Sequence, residues 1–223
     1  WGNSGGLPVI VLAPVDVKDC YTLTVQAFNL AETYRCPVFL AANKEISMTR
    51  ETVDLESLTL PEVVDRRAAD PANAFLPFDG SQGPVPPFLP IGGERLVRQT
   101  SSTHGPDGYI TTDTGQIAAN QKRLAEKLDA AMDRFAFHDL RTAAGADTLV
   151  IAYGVTARAA RAAVEALEAA GSPVSLLTLK TLWPVAERLI ADTARPYRRV
   201  VVVEMNLGQY GREIQRLLPA HDI

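Results

Sequence analysis

The chain has 223 residues, enough for one large or two small domains around a sizeable core. Hydrophobic residues make up 47% and charged ones 22%, the ordinary globular range, which excludes a disordered chain. The net charge of -4, with Lys and Arg scattered, excludes a basic footprint for nucleic acid, and no apolar run approaches the roughly 20 residues that cross a bilayer.

Trp1 stands where a Met is expected, and WGNSGG runs at once into an apolar segment, so the chain reads as a fragment or processed piece beginning inside a domain. Leu7 to Ala13 is a continuous apolar run, the pattern of a strand buried on both faces. Asp16 can cap a following helix, in which Tyr21, Val25, Phe28 and Ala31 recur at helical spacing before Tyr34 and Arg35 end it. Pro37 opens a second apolar run, PVFLAA, and strand–helix–strand over so short a span is one crossover unit of a parallel sheet. From Asn43 to about Thr114 periodicity disappears under repeated Pro and Gly, yet Phe75, Phe78, Phe88 and Leu89 remain. That predicts an ordered, extended connector.

A long helix is predicted from about Gln116 to Phe137, with Ile117, Leu124, Leu128, Ala131 and Phe135 along one stripe. TLVIAYG is a buried strand ending in a turn. Thr156 can cap the next helix, which carries Ala160, Val164 and Leu167 inward and stops at Gly171. VSLLTL is another strand, Pro184 suits the first position of a helix, RRVVVVEMN is a third strand, and a helix through Ile214 and Leu217 follows. Strand and helix alternate three times, which predicts an open α/β domain with a mostly parallel sheet.

Cys20 and Cys36 are the only cysteines, read as small buried hydrophobes in a reducing cytoplasm. Two thiols cannot hold an iron–sulfur cluster, which takes about four. Neither the phosphate-cradling glycine signatures nor a zinc or nucleophile-elbow motif is present, and His104, His138 and His221 lie far apart in sequence. Four stretches carry weaker signals. Gly2, Asn3 and Gly5 could let the backbone approach a cofactor, or simply form a loop. Thr100 to Gly108, with His104, could meet an anionic substrate, or be a turn bonding its own backbone. The strand-to-helix turn Tyr153 to Arg158 could hold an anion or be simply capped. Glu204 follows four valines, so it must be paired, hydrated or protonated, with Asn206 and Gln209 as partners in a structural network, a subunit contact or a site. Arg95 and Arg98 could bind a distal carboxylate or lie on the connector surface.

EMNLGQ after the valine run, with TLWP before it, resembles the alpha subunit of 2-oxoacid:ferredoxin oxidoreductases. YGVTARAARAAVEALEAAG is similar to the same subunit's strand, turn and helix, FNLAE followed by YRCPV to the end of its pyrimidine-binding domain, and RQTSSTHGPDGYITTD to its connector. There a histidine–acid pair is usual, whereas here Gly105 follows His104. The resemblance implies an α/β fold with the end of a thiamine-diphosphate pyrimidine-binding domain (1–45), an extended connector (46–115) and a transketolase C-terminal-like open parallel-sheet domain (116–223). It implies oxidative decarboxylation of a 2-oxoacid with coenzyme A to an acyl-CoA, carbon dioxide and reduced ferredoxin, with EMNLGQ pointing to 2-oxoglutarate. Pyruvate, branched-chain and aryl 2-oxoacids are alternative substrates, and a non-catalytic assembly module is an alternative role.

The resemblance further implies thiamine diphosphate with Mg at an interface with a beta subunit carrying the diphosphate-binding domain, and iron–sulfur clusters in partner chains. The partners are ferredoxin and a hetero-oligomer of dimerised alpha–beta units. The glutamate that activates the cofactor falls upstream of Trp1, so no catalytic residue is assigned. Gly2, Asn3 and Gly5 are the cofactor candidates, and His104 and Arg98 the substrate candidates.

Overall fold

The computed structural model describes residues 7–70, 74–98, 100 and 102–223. In chain order the elements are β1 (Ile10–Leu12), α1 (Val17–Tyr34), β2 (Val38–Leu40), α2 (Lys44–Met48), α3 (Thr114–Asp129), β3 (His138–Arg141), β4 (Thr148–Tyr153), α4 (Thr156–Ala169), β5 (Ser175–Leu179), β6 (Thr181–Trp183), α5 (Glu187–Ala194), β7 (Arg199–Val203) and α6 (Gln209–Leu217). They fall into two compact units. One contains Phe28–Pro37, Glu62–Ala131 and the stretch ending at Val9; the other contains Ile10–Ala27, Val38–Pro61 and Met132–Ile223.

The second unit holds both sheets. In the smaller, ordered β2-β1-β6, β1 and β2 run parallel, as the crossover pattern predicts, and β6 joins β1 antiparallel. The larger is ordered β3-β5-β4-β7, with β4, β5 and β7 parallel and β3 an antiparallel edge. All five residues of β5 are buried, as a central strand covered on both faces requires. Alternation along the strands sends Leu149, Ile151, Leu177 and Leu179 to one face, where Ile190 and Ile214 cover them. Ala152 and Leu176 go to the other, against Ala157, Ala160 and Val164 of α4. Each fully buried aliphatic side chain contributes about 1.5–3 kcal/mol. The small Ala157 and Ala160 let α4 lie close to the sheet. Gly171, at φ +77°, ends that helix with its N–H on Glu168 O while Ser172 N–H reaches back to Leu167 O, a paired closure of the orphan carbonyls.

The first unit carries α3 and the irregular connector, and its order comes from side chains satisfying main-chain groups. Arg35 Nη1 donates to the carbonyls of Pro77, Pro86 and Pro87 at 3.0, 3.0 and 3.3 Å. Asn29 acts as a short piece of strand, donating to Glu62 O at 2.7 Å and accepting from Val64 N at 2.9 Å. Arg66 grips Glu32 through two bonds of 2.7 and 2.6 Å and lies 4.4 Å over the Phe88 ring. Arg123 Nη1 donates to Pro84 O at 2.9 Å.

Three elements depart from the pattern. The helix expected over 116–137 starts earlier, where Asp113 caps Gln116 N at 2.7 Å, and stops at Asp129; a single 3-10 turn and the edge strand β3 follow. The helix expected from Pro184 begins at Glu187, because TLW before it is drawn into the smaller sheet as β6. α2 interrupts the connector where no periodicity predicts a helix. No helix among the described residues is long and apolar enough to cross a membrane.

Candidate functional site

β4 lies between β5 and β7, so the chain leaves it to one side through α4 and later returns to the other. Ligands of open α/β sheets bind in the crevice at the carboxyl ends of two such strands. Tyr153, Gly154 and Thr156 reach that edge from β4, and Glu204 and Asn206 from β7. Tyr153 Oη donates to Glu204 Oε2 at 2.7 Å and accepts from Asn206 Nδ2 at 2.8 Å. Glu204 also accepts from Tyr210 N at 3.1 Å and Gly211 N at 3.0 Å, while Asn206 Oδ1 takes Gly208 N and Gln209 N at 2.9 Å each. The first-turn N–H groups of α6, with the positive end of its dipole, are therefore filled by the chain's own carboxylate and amide.

Burial pushes the Glu204 carboxyl up, but the hydrogen bonds from Tyr153, Gly211 and Asn206 outweigh it and hold the group below its ordinary 4.5. Burial and the hydrogen bond to Glu204 push the Tyr153 phenol up, so it stays a donor. The Tyr210 hydroxyl, also pushed up by burial, finds no hydrogen-bond partner.

The turn before α4 is stoppered in the same way. Asn43 Oδ1 accepts Val155 N at 2.9 Å and sits so close to Gly154, at φ +57°, that a Cβ there would collide with it. Thr156 Oγ1 lies 2.7 and 2.9 Å from Tyr153 O and Val203 O, its single O–H shared between the two strand ends. Arg158 pairs with Glu51, whose other oxygen accepts Val17 N at 3.2 Å. Asn43 and Glu51 carry no motif and pair across more than 100 residues, so no local pattern could have found them.

Elsewhere in this unit, Lys180 Nζ lies 3.0 Å from Asp19 and 2.9 Å from Asp139, beside a shallow cleft of about 380 Å³ lined also by Thr22, Gln26 and His138. Burial lowers the Lys180 ammonium, the two carboxylates outweigh it, and the net rise keeps it charged and unfit as a base.

In the first unit the substrate candidates flank one tight turn. Gly105 N donates to Tyr109 O and Thr111 N to Thr103 O, closing a hairpin in which His104 faces Ile110. His104 stacks on Phe78 with ring centroids 3.7 Å apart, and its Nδ1 is 3.2 Å from Gly105 O. Arg98 lies on Tyr109, its Cζ 3.9 Å from the ring centroid, with Nη2 3.3 Å from the Tyr109 hydroxyl. Gly108, at φ +82°, is fitted against the Arg98 backbone: a Cβ there would come within 2.7 Å of Arg98 O. Arg98 Nε is buried with no acceptor, a standing cost of about 1–3 kcal/mol. Tyr109 stacks with Arg98, whereas His104 stacks with Phe78. The turn thus holds both candidates but does not converge them. Gly2, Asn3 and Gly5 lie outside the described residues.

Lys127 is a further buried group, 4% exposed, at a stripe position of α3 next to Leu128. Its Nζ reaches Arg35 O at 3.4 Å, and burial lowers the ammonium to about 8. The signal was readable: a lysine at apolar spacing from Leu124.

Residues 5–126 match the family model described as pyruvate flavodoxin/ferredoxin oxidoreductase, thiamine diphosphate-binding, more than half of the chain. The chain belongs to that family. Residues 146–223 match pyruvate:ferredoxin oxidoreductase core domain II, so the two oxidoreductase models follow each other in order. The 2-oxoglutarate synthase subunit KorA of Methanothermobacter marburgensis is 33% identical over 224 residues, covering 97% of this chain and 58% of the relative. The ketoisovalerate oxidoreductase subunit VorB of the same organism is 27% identical, covering 100% of this chain and 56% of the relative. The chain therefore spans less than two thirds of these oxidoreductase relatives. A 2-oxoglutarate:ferredoxin oxidoreductase from Magnetococcus marinus, solved with 2-oxoglutarate, coenzyme A and succinyl-CoA bound, shares the fold at TM-score 0.85 and 24% identity, over 99% of this chain and 38% of that one. Among the described residues of this family member, no group of His, Cys, Asp and Glu could hold a metal ion.

Proposed function

We propose that this chain is the carboxy-terminal portion of the alpha subunit of a thiamine-diphosphate-dependent 2-oxoacid:ferredoxin oxidoreductase acting on 2-oxoglutarate. The carrying observation is the higher identity, 33% against 27%, to a 2-oxoglutarate synthase subunit than to a ketoisovalerate oxidoreductase subunit over nearly the whole chain. The reaction is oxidative decarboxylation with coenzyme A to succinyl-CoA, carbon dioxide and reduced ferredoxin, and the bound cofactor supplies the decarboxylation chemistry. Thiamine diphosphate with Mg sits against a beta subunit that brings the diphosphate-binding domain. Iron–sulfur clusters sit in partner chains, and the two cysteines of this portion are too few to hold one. Dimerised alpha–beta units in a reducing cytoplasm complete this reading. Gly2, Asn3 and Gly5 approach the cofactor, and His104 and Arg98 approach the substrate.

A second role, assembly, is favoured for the carboxy-terminal sheet. Its ligand-binding edge is filled by Asn43, Glu204 and Asn206, so that sheet supports the complex and leaves chemistry to other surfaces. The test is viologen-coupled oxidation of 2-oxoglutarate, pyruvate and a branched-chain 2-oxoacid by the purified complex containing this chain, with thiamine diphosphate and coenzyme A. Turnover of 2-oxoglutarate is expected. A complex with cofactor and clusters in place that oxidises none of the three overturns the catalytic reading and leaves assembly.

A further inference from the structure

We infer that Arg98, and not His104, is the specificity-determining residue of this subunit, reading the distal carboxylate of a dicarboxylic 2-oxoacid; the inference rests on the oxidoreductase reading above. A guanidinium offers five N–H donors in a planar fork, and a carboxylate matches two neighbouring ones at once. Arg98 presents such an edge incompletely used. Its Nε is buried without an acceptor, and its Nη2 makes a long 3.3 Å contact to the Tyr109 hydroxyl. The plane is already oriented by the Tyr109 ring, 3.9 Å from Cζ. The backbone behind it is held by Gly108, which has no side chain to push it away.

Tyr109 is 55% exposed and its contact to Nη2 is long at 3.3 Å, so a ligand carboxylate can compete for the Nε–Nη2 edge while the ring stays stacked. That ligand would satisfy the Nε donor that the fold leaves unpaired, which is the condition for rejecting an analogue without the carboxylate. His104 lacks this character. Its ring is stacked on Phe78, and its Nδ1 faces Gly105 O.

The experiment compares 2-oxoglutarate with 2-oxopentanoate, which has a methyl group in place of the distal carboxylate, in the purified complex. Arg98→Met is expected to lower kcat/KM for 2-oxoglutarate about 100-fold, the size of a bidentate charged contact, and to leave 2-oxopentanoate within about twofold. Arg98→Lys, which keeps the charge and loses the fork, guards against a folding defect; it is expected to lose about tenfold on 2-oxoglutarate alone. An unchanged ratio in the Arg98 variants, or an equal fall on both substrates, overturns the inference while wild-type turnover of 2-oxoglutarate keeps the parent reading intact. A wild-type complex that oxidises no 2-oxoacid removes both.

Discussion

At the scale of single residues, the informative groups are polar side chains in places where apolar ones would do. Lys127 is the sharpest case. It sits on the buried stripe of α3 with one long bond to a carbonyl, and burial lowers its ammonium from 10.5 to about 8. Below pH 8 both folded and unfolded chains carry the proton, and the folded chain bears the full cost of a buried charge. Between pH 8 and 10.5 the folded chain sheds a proton that the unfolded chain still binds, so stability rises with pH across that window. Lys127→Met is therefore expected to raise the unfolding free energy by on the order of 2 kcal/mol at pH 7, with the gain shrinking toward pH 10. Urea titrations of both proteins at the two pH values measure this; a gain independent of pH would mean that packing, not charge, is responsible.

At the scale of elements, α6 shows how a helix start is built from a strand end. β7 delivers Glu204 to the N–H groups of Tyr210 and Gly211, and Asn206 covers the two before them. Glu204→Ala leaves those donors and the Tyr153 hydroxyl unmatched and is expected to cost about 2–4 kcal/mol. Glu204→Gln keeps an acceptor and costs less. Because the folded carboxyl lies below 4.5, its contribution is complete above the unfolded value and lost as pH falls through the folded one. Acid unfolding of Glu204→Gln followed by circular dichroism should lack that part of the transition; an unchanged acid limb would discount the carboxylate's charge.

The elements that were legible in the sequence are those with a strong local pattern: the apolar runs of β1, β4, β5 and β7, the Ala160 and Val164 positions of α4 and the Gly171 stop, whereas Leu167, expected inward, is 42% exposed. β3 was not legible, because HDLR is exposed along its whole length and carries no alternation. β6 was not, because its place beside β1 depends on residues about 170 positions away. The strand-end site was half legible. Glu204 and Asn206 announce themselves after a valine run, whereas Asn43 and Glu51 acquire their partners only through the fold. The fork of Arg98 was legible as a charge and not as an orphaned donor, since burial of one nitrogen is a property of the turn at Gly108.

At the scale of the whole molecule, the two units are held by different physics. The unit with the larger sheet has a continuous apolar core around Leu149, Ile151, Leu177 and Ile214, each 0% exposed. The connector unit relies on arginine and asparagine side chains pinned to carbonyls, with exposed Ile91, Leu96 and Tyr109 between them. Regions with few buried apolar contacts and solvent-accessible main-chain bonds open at lower free energy. Hydrogen exchange followed by mass spectrometry is expected to find amides of 74–98 and 102–112 exchanging at least about 100-fold faster than those of β4 and β5, a difference of roughly 3 kcal/mol in opening. Equal protection in the two regions would show that the side-chain staples match an apolar core.

The carboxylate of Glu204 is, in binding terms, a ligand supplied in cis. A short covalent tether fixes its local concentration at about the millimolar level or above, so a free cellular acid has little chance to displace it.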